Sequence, residues 1–290
     1  MQIVVNACVS AAVILLVGMG FGLVFATARF FHFAHGAMFT LGAYALFFLM
    51  TWCRLPTAPA FVLAVLLAAA MGCAIEFAVY RPLRTRGASP LVLLLASLGL
   101  YVVFQNVLAM TFGDETKSIR SSVVTEGISI LGARITPVQV ATVCTSAILA
   151  MALAMFLRRT KMGKAVRAVA NDPELAKVSG IASDSVILAV FAIGSALAGV
   201  AGILVAMDVD MTPTMGMTPL MLGVVAVVIG GVDSIPGLAL AAVLVGAAQQ
   251  AGAWWIGSQW QDAIVFAVLL AFLLLRPRGF LGGRLRKASV

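Results

Sequence analysis

Charged side chains are scarce in this sequence of 290 residues, and their scarcity excludes most classes of protein. Only 10% of the residues are Asp, Glu, Lys or Arg, whereas 62% are hydrophobic and the mean hydropathy is +1.11. A soluble domain carries about 25% charged residues, so the composition predicts an all-α integral membrane protein. The net charge of +8 then reflects membrane topology, and we expect no nucleic-acid partner.

Catalytic and metal-binding motifs are absent as well. The sequence contains no GxSxG, HExxH or GxxxxGK[ST] pattern and no CxxC pair. Its two histidines, His32 and His35, are too few to build a common zinc site. We therefore expect a chain that is not an enzyme and binds no metal or cofactor, so that any energy source must lie on another protein.

Hydrophobic runs long enough to cross a bilayer, which takes about 20 residues, recur along the whole chain. One run, 218–231, is short and ends in two glycines, which predicts a broken or re-entrant helix. We expect a single transmembrane domain over residues 1–290 with eight or nine transmembrane helices. The runs are 3–27, 31–52, 58–80, 90–112, 137–157, 186–207, 218–231, 235–256 and 260–275.

The distribution of Lys and Arg predicts which connecting segments face the cytoplasm. Basic residues collect in the loop 80–90, in the loop 158–185 and in the tail after residue 275. The positive-inside rule places all three in the cytoplasm. The segments 113–136 and 208–217 show no such excess and belong outside. With nine crossings, the N-terminus is outside and the C-terminus is cytoplasmic.

The two halves of the chain resemble each other weakly. GLVFATARFFHFAHG, from Gly22, aligns with GILVAMDVDMTPTMG, from Gly202. The first stretch carries Arg29 whereas the second carries Asp208 and Asp210, as expected if equivalent loops lie on opposite membrane faces. We therefore predict an inverted-topology repeat, in which 3–112 and 186–275 are joined by a linker span at 137–157 and the loop 158–185.

Small residues recur on the first and sixth predicted spans, which are equivalent in the two halves. Such small faces let two membrane helices approach closely. We expect these faces to pack near the pseudo-symmetry axis that relates the halves. The residues are Gly18, Gly20 and Gly22 on the first span, and Gly194, Ala198 and Gly202 on the sixth.

The loop 158–185 contains the start and stop signals of a short helix. Asp172 suits an N-cap, Pro173 the first helical position and Glu174 the first turn. Gly180 suits a left-handed residue at the helix end. These signals predict a helix over 173–179. The helix either docks into a partner protein that moves it or belongs to an ordinary solvated loop.

Polar residues within the spans mark candidate sites. Ser97, Tyr101 and Gln105 are spaced i, i+4, i+8 and share one helix face. They either hydrogen-bond a neighbouring helix, which is the commoner case, or line a polar path. Glu76 lies near a helix end beside Arg81, where a local ion pair explains it better than proton coupling.

Both histidines lie at the junction of the first two spans. Gly36 there permits a sharp break in the backbone before the second span. His35 is expected to hydrogen-bond backbone groups freed at that break, or else to contact a transported solute. His32 can donate and accept in a similar way, and Arg29 is explained as a positive-inside anchor.

Several segments, in order from about residue 13 to 283, also carry a family resemblance. They are LVFATARFFHFAHGAMFTLGAY, YRPLRTRGASPLVLLLASLGL, GKAVRAVANDPELAKVSGI, GGVDSIPG and LLRPRGF. Together they resemble the branched-chain amino acid permease family of ABC importers, the LivH type. The chain departs from that family at His32, where Asn is usual, and at Asp233, where Gly is frequent.

The resemblance implies a non-catalytic transmembrane permease subunit of an ATP-driven ABC importer, in the bacterial inner membrane. Its substrates would be branched-chain amino acids or related small polar solutes, such as other amino acids, urea or amides. Its partners would be a second homologous permease, two cytoplasmic ATPases that bind ATP and Mg, and an extracytoplasmic solute-binding protein. The alternative is a stand-alone secondary transporter or channel for a small solute.

The resemblance also assigns roles to residues, because Glu174, Ala176 and Gly180 are similar to the EAA loop of ABC importer permeases. The residues expected to couple the chain to its ATPases are Arg167, Asn171, Asp172, Glu174, Ala176 and Gly180. The residues expected to line the translocation pathway are His32, His35, Gly36, Ser97, Tyr101 and Gln105.

Overall fold

The structure, a computed structural model, describes residues 1–119, 127–130, 133–232, 234–276 and 279–280. Within these ranges, eight helices are long and apolar enough to cross a membrane, and a ninth apolar helix is shorter. The predicted all-α membrane fold with eight or nine spans is therefore confirmed. Asp233 and most of the basic tail lie outside the described residues, so the expectations for them stay predictions.

The helices follow the predicted runs closely in both halves of the chain. The first half contains α1 (Gln2–Ala28), α2 (Ala34–Thr51), α3 (Thr57–Ile75), a π-helical turn (Glu76–Tyr80), α4 (Arg81–Thr85) and α5 (Pro90–Phe112). The middle contains β1 (Ile128–Ile130), β2 (Ala133–Ile135), α6 (Pro137–Arg159), α7 (Lys161–Asn171) and α8 (Pro173–Val178). The second half contains α9 (Ser183–Asp208), α10 (Met217–Gly230), α11 (Ile235–Trp255), a 3₁₀ turn (Ser258–Trp260) and α12 (Gln261–Leu275).

Two helical stretches were not predicted. The third span continues as one helix to Thr85, so the start of the basic loop is helical. In the loop 158–185, α7 precedes the predicted short helix and buries Gly163, Val166 and Val169. Apolar residues in α7 alternate with basic ones, so no hydrophobic run marks the helix, although the periodicity is that of an amphipathic helix.

The helix α10 is too short to cross a bilayer by itself. Its 14 residues extend about 21 Å, against about 30 Å for the hydrocarbon core. It ends at Gly231, whose φ of 94° suits glycine, and Gly230 packs closely on Gly237 of α11. The short helix predicted over 218–231 is confirmed.

The helices of the two halves make equivalent contacts, so the packing of α1 on the second half has a counterpart in the packing of α9 on the first half. α1 packs against α10 and α11, while α9 packs against α2 and α3, and α1 and α9 cross each other. The aligned glycines Gly36 and Gly216 touch, and a Cβ on Gly36 would lie 2.8 Å from the Gly216 carbonyl oxygen. Contact between equivalent residues is expected at a pseudo-two-fold axis, so the packing supports the inverted repeat.

The small faces of α1 and α9 meet at one pair of glycines, Gly20 and Gly194. The other predicted glycines pack elsewhere: Gly18 on Leu238, Gly22 on Val227 and Gly202 on Phe39. A Cβ added to Gly20 would lie 2.7 Å from the carbonyl oxygen of Gly194. Such a distance leaves no room for a side chain between the two backbones. The two helices therefore pack at backbone contact, which is the geometry that small residues allow in membranes.

The loops that the charge distribution places on opposite sides of the membrane lie at opposite ends of the helix bundle. At one end, the guanidinium of Arg29 donates to the carbonyl of Asn171, at 2.9 Å. At the other end, Lys117 and Met211 exchange backbone hydrogen bonds of 3.0 and 2.9 Å. The grouping of loops is thus the one that the positive-inside rule predicted.

The contact at the pseudo-two-fold axis yields a stability test. Gly216→Ala would place a methyl group against the Gly36 backbone and 2.6 Å from the Thr40 hydroxyl. Overpacking of this kind destabilises by about 1–3 kcal/mol. We expect a lower thermal unfolding temperature of the purified chain in detergent, followed by tryptophan fluorescence. Gly99→Ala, whose Cβ would meet no heavy atom within 4 Å inside α5, is the control and should unfold no lower than wild type, because alanine favours the helix.

Candidate functional site

The short helix α8 begins as its sequence predicts. One carboxylate oxygen of Asp172 accepts hydrogen bonds from the backbone N–H groups of Glu174 and Leu175, both at 3.0 Å. These bonds satisfy two of the N–H groups that a helix leaves unpaired at its start. Pro173 occupies the first turn, where its missing N–H is not needed. The start of the helix is therefore determined locally.

The end of α8 is a Schellman motif. The N–H of Ile181 donates to the Ala176 carbonyl and that of Gly180 to the Lys177 carbonyl, both at 3.0 Å. Gly180 has a φ of 82°, the left-handed conformation that glycine adopts without strain. The predicted helix over 173–179 is confirmed as Pro173–Val178.

The side chains of α8 divide into a buried anchor and an exposed apolar tip. Ala176 is buried in the main core cluster, so this predicted coupling residue holds the helix on the bundle. Leu175 is 61% exposed and Val178 is 85% exposed. The two side chains form a small exposed apolar surface at the tip of α8, outside the spans. These two residues were not among the predicted coupling residues.

Arg29 connects the end of α1 to the turn between α7 and α8. Its guanidinium donates to the carbonyls of Ala170 and Asn171, at 3.1 and 2.9 Å. These carbonyls belong to the last turn of α7, where a helix leaves acceptors unpaired and a cation is favourable. Arg29 is therefore more than the positive-inside anchor that its sequence position suggested.

A half-open pocket of about 250 Å³ lies beside this contact, between α1, α6, α7 and the turn from α10 to α11. Arg167 and Asn171, two predicted coupling residues, line it together with Ser234. Arg167 makes no hydrogen bond or ion pair with any residue that the structure describes. The side chain of Arg167 is therefore available to a partner at this end of the bundle.

An ion-pair network joins the third span to the start of α9. Arg84 binds Glu76 with both of its terminal nitrogens, one of them at 3.1 Å from Oε2. Arg81 lies 3.3 Å from Asp184, in the first turn of α9, and Arg84 lies 4.0 Å from it. The predicted local ion pair of Glu76 is confirmed, but its partner is Arg84 and not Arg81.

The break between α1 and α2 is held by Ser97 of α5. Its hydroxyl oxygen accepts from the N–H of Phe33 at 3.0 Å, and its proton faces the carbonyls of Phe31 and Leu94, at 3.0 and 2.7 Å. Satisfying backbone groups freed at this break was the role expected of His35. The structure corrects that expectation, because the hydroxyl of Ser97 reaches the freed groups across the helix interface.

The two histidines lie in an aromatic pocket behind the break. The Nδ1 atom of His32 is 3.1 Å from the hydroxyl of Tyr80, and its ring packs edge-on against Phe191. His35 lies against Gly20, with the backbone of Val17 as its polar neighbour but outside hydrogen-bonding geometry. Both rings are at most 1% exposed, so neither faces an open path in this conformation.

The predicted polar stripe on α5 divides into two parts. Ser97 is fully buried, and the hydroxyl of Tyr101 donates to the carbonyl of Thr214 at 3.4 Å. These residues bind neighbouring segments, which was the commoner of the two expected roles. Gln105 is half-buried and makes no hydrogen bond with a described residue, while Asn106 is exposed on the adjacent face. Gly36, also predicted for the pathway, lies at the pseudo-two-fold contact.

Comparisons with known proteins identify relatives of the same family that the sequence segments resemble. Residues 3–273 match the family model described as "Branched-chain amino acid transport system / permease component". The chain is 31% identical to the high-affinity branched-chain amino acid transport system permease protein BraD of Pseudomonas aeruginosa, over 97% of this chain and 95% of that protein. It is also 31% identical to LivH of Escherichia coli K12, over 92% and 90%.

A solved structure shares the fold. The structure of PsaBC from Streptococcus pneumoniae in complex with Fab matches with a TM-score of 0.51 at 13% identity. The match covers 99% of this chain and 94% of that chain. At this identity the likeness concerns the arrangement of helices alone.

The hydroxyl of Ser97 provides a test of the helix break. Ser97→Ala leaves the N–H of Phe33 buried without its partner, which costs about 1–3 kcal/mol. We expect a lower unfolding temperature in detergent and reduced solute uptake in membrane vesicles. Ser195→Ala is the matched control, because the buried hydroxyl of Ser195 has no partner among the described residues. Equal stability of the two variants would contradict the role assigned to Ser97.

Proposed function

This chain belongs to the family of permease components of branched-chain amino acid transport systems, and we propose that it conducts branched-chain amino acids inward across the bacterial inner membrane. It is the permease subunit of an ABC importer. The observation that carries the mechanism is α8, a helix capped at both ends whose apolar tip is exposed outside the spans. Related small polar solutes, such as other amino acids, urea and amides, are the wider substrate class.

The work of transport comes from two cytoplasmic ATPases that bind ATP and Mg, while this chain is not catalytic. In this proposal, α8 docks into a cleft of one ATPase through Leu175 and Val178. Closure of the ATPases on ATP displaces α8, and two contacts carry the displacement into the bundle. Arg29 transmits it to the end of α1, and Asp184 transmits it to the third span through Arg81 and Arg84.

A second, homologous permease completes the path on the side of α5. Gln105 is half-covered by the bundle and makes no hydrogen bond with a described residue, whereas the exposed Asn106 donates to the Val102 carbonyl at 2.8 Å and keeps a free amide oxygen. Such groups are unfavourable in lipid. A protein partner or a polar path satisfies such groups better than acyl chains do. His32, His35, Gly36, Ser97 and Tyr101 then lie behind the path and position it.

The proposed orientation follows from charge. The end with Arg29 and α8 faces the cytoplasm, and the end with Lys117 and Met211 faces outward. The N-terminus is then outside. An extracytoplasmic binding protein docks on the outer loops and delivers the solute.

A stand-alone secondary transporter is the alternative, and the lack of an unpaired carboxylate buried in the described spans argues against it. Glu76 is the one buried carboxylate among the described residues, and it is neutralised by Arg84. Ion-coupled carriers keep an ionisable group at the transport site.

Uptake of labelled leucine by vesicles containing the purified assembly should therefore require ATP and persist after the ion gradients are collapsed. Uptake without ATP would overturn the proposal.

A single charged residue at the apolar tip of α8 tests whether this tip docks into the ATPase. Val178→Asp should abolish co-purification of the ATPases with this chain, because a carboxylate replaces an apolar contact. Insertion and folding should be unaffected, since Val178 is 85% exposed. Ile256→Asp, which places the same charge on a 63% exposed residue at the opposite end, is the control and should retain the ATPases. Retention of the ATPases by both variants would contradict docking through α8.

A further inference from the structure

A second pocket, distinct from the helix junction and the coupling helix, lies at the proposed outer end of the bundle. Its volume is about 200 Å³, room for roughly half a dozen waters or one small solute. It lies between α1, α6, α9, α10 and α11, below the loop 208–217. Its polar lining residues are Ser10, Thr142, Asp208 and Gln249, and the remaining walls are apolar.

The side chain of Gln249 offers unused hydrogen-bonding groups to the pocket. The residue is only 9% exposed and lines the pocket, yet its amide makes no hydrogen bond with any residue the structure describes. Its amide nitrogen and oxygen are not among the enclosed polar atoms that lack a partner, so they are accessible from the pocket and can bind water or a ligand there. The neighbouring amide of Gln250 is satisfied, because it donates to the Ser10 hydroxyl at 3.1 Å.

Asp208 adds a negative charge with spare acceptor capacity. Its carboxylate accepts from the hydroxyl of Thr136 at 3.1 Å and from the amide of Gln139 at 3.3 Å. A carboxylate has about four acceptor positions, so about two remain. Within the described ranges, no Lys or Arg comes within ion-pair distance of it. Asp208 is thus placed to bind a cationic group brought by a ligand.

The pocket therefore offers three kinds of contact at once. Asp208 accepts from a cation, and the Gln249 amide and the Ser10 hydroxyl are neutral donors for an anion. Apolar side chains from α1, α9 and α10 provide the wall against which an aliphatic group packs, namely Val13, Ile14, Leu204 and Leu222. A small zwitterion with an aliphatic side chain matches all three. A second acidic group would be repelled by Asp208.

We propose that this pocket binds a small aliphatic α-amino acid on the outer side of the permease. The ammonium group pairs with Asp208, the carboxylate receives hydrogen bonds from Gln249 and Ser10, and the side chain packs on the apolar wall. The site is a station for solute released by the binding protein. The identity of the ligand rests on the proposed function, whereas the site rests on the lining residues themselves.

Equilibrium binding to the permease–ATPase complex in lipid nanodiscs, without the binding protein, tests the site directly. The probes are L-leucine, 4-methylpentanoate, which lacks the ammonium group, and 3-methylbutylamine, which lacks the carboxylate. Leucine should bind about tenfold or more tightly than either analogue, as expected for charge-assisted hydrogen bonds. Equal binding of the three probes, or no binding of leucine, would overturn the proposal.

Variants separate the two ends of the ligand. Asp208→Asn should remove the preference for leucine over 4-methylpentanoate, and Gln249→Leu should remove the preference over 3-methylbutylamine. Asp210→Asn, which removes an equal charge from the same loop without lining the pocket, should leave both preferences intact. Val13→Phe fills the pocket while preserving the polar groups and should block all three probes. Unchanged leucine binding in folded Gln249→Leu and Val13→Phe complexes would refute the site.

Uptake by the complete importer distinguishes a failure of the site from a failure of the proposed function. ATP-driven uptake of labelled leucine, valine and isoleucine is measured with the binding protein present. If wild type imports them and the pocket variants do so with unchanged rate and affinity, the site is overturned and the proposed function stands. If wild type imports none of them, the proposed function itself is wrong.

Discussion

The bilayer interior offers no water to backbone polar groups, so each one must find its partner within the protein. This constraint makes every span helical, and it also decides how the helices end. Where the chain breaks before α2, the hydroxyl of Ser97 takes up the freed N–H of Phe33. Before α11, the Ser234 hydroxyl accepts from the N–H of Gly237. Both breaks therefore depend on a serine at a defined position.

Close packing between the halves follows from the same constraint. In lipid, helices gain little from hiding apolar surface, so association depends on shape and on small residues. The contact of Gly20 with Gly194 and that of Gly36 with Gly216, at the pseudo-two-fold axis, bring backbones of the two halves together. The histidines at the break are enclosed by this packing. A movement of α1 relative to α9 would therefore change the aromatic pocket around both rings.

The two ends of the bundle carry different chemistry. At one end, basic side chains bind helix carbonyls and carboxylates, so Arg29 ties the end of α7 to α1 and Asp184 ties the start of α9 to the third span. At the other end, Asp208 and Gln249 line a pocket, and none of its lining residues that the structure describes is a lysine or an arginine. A transporter that is coupled to ATPases at one end and receives solute at the other needs two ends with different chemistry. The symmetric packing of the spans does not provide this difference.

The sequence by itself determined the spans, the grouping of loops by charge, and both ends of α8, because each of these rests on the composition or the capping residues of a contiguous segment. The family could also be recognised from its segments. Only the tertiary structure decided that Ser97 and not His35 satisfies the break, that Glu76 pairs with Arg84, and that Gln249 and Asp208 share a pocket. Those outcomes depend on how the helices rotate and pack against one another. Local propensity and hydropathy do not specify that arrangement, because they are nearly the same around every face of so apolar a helix.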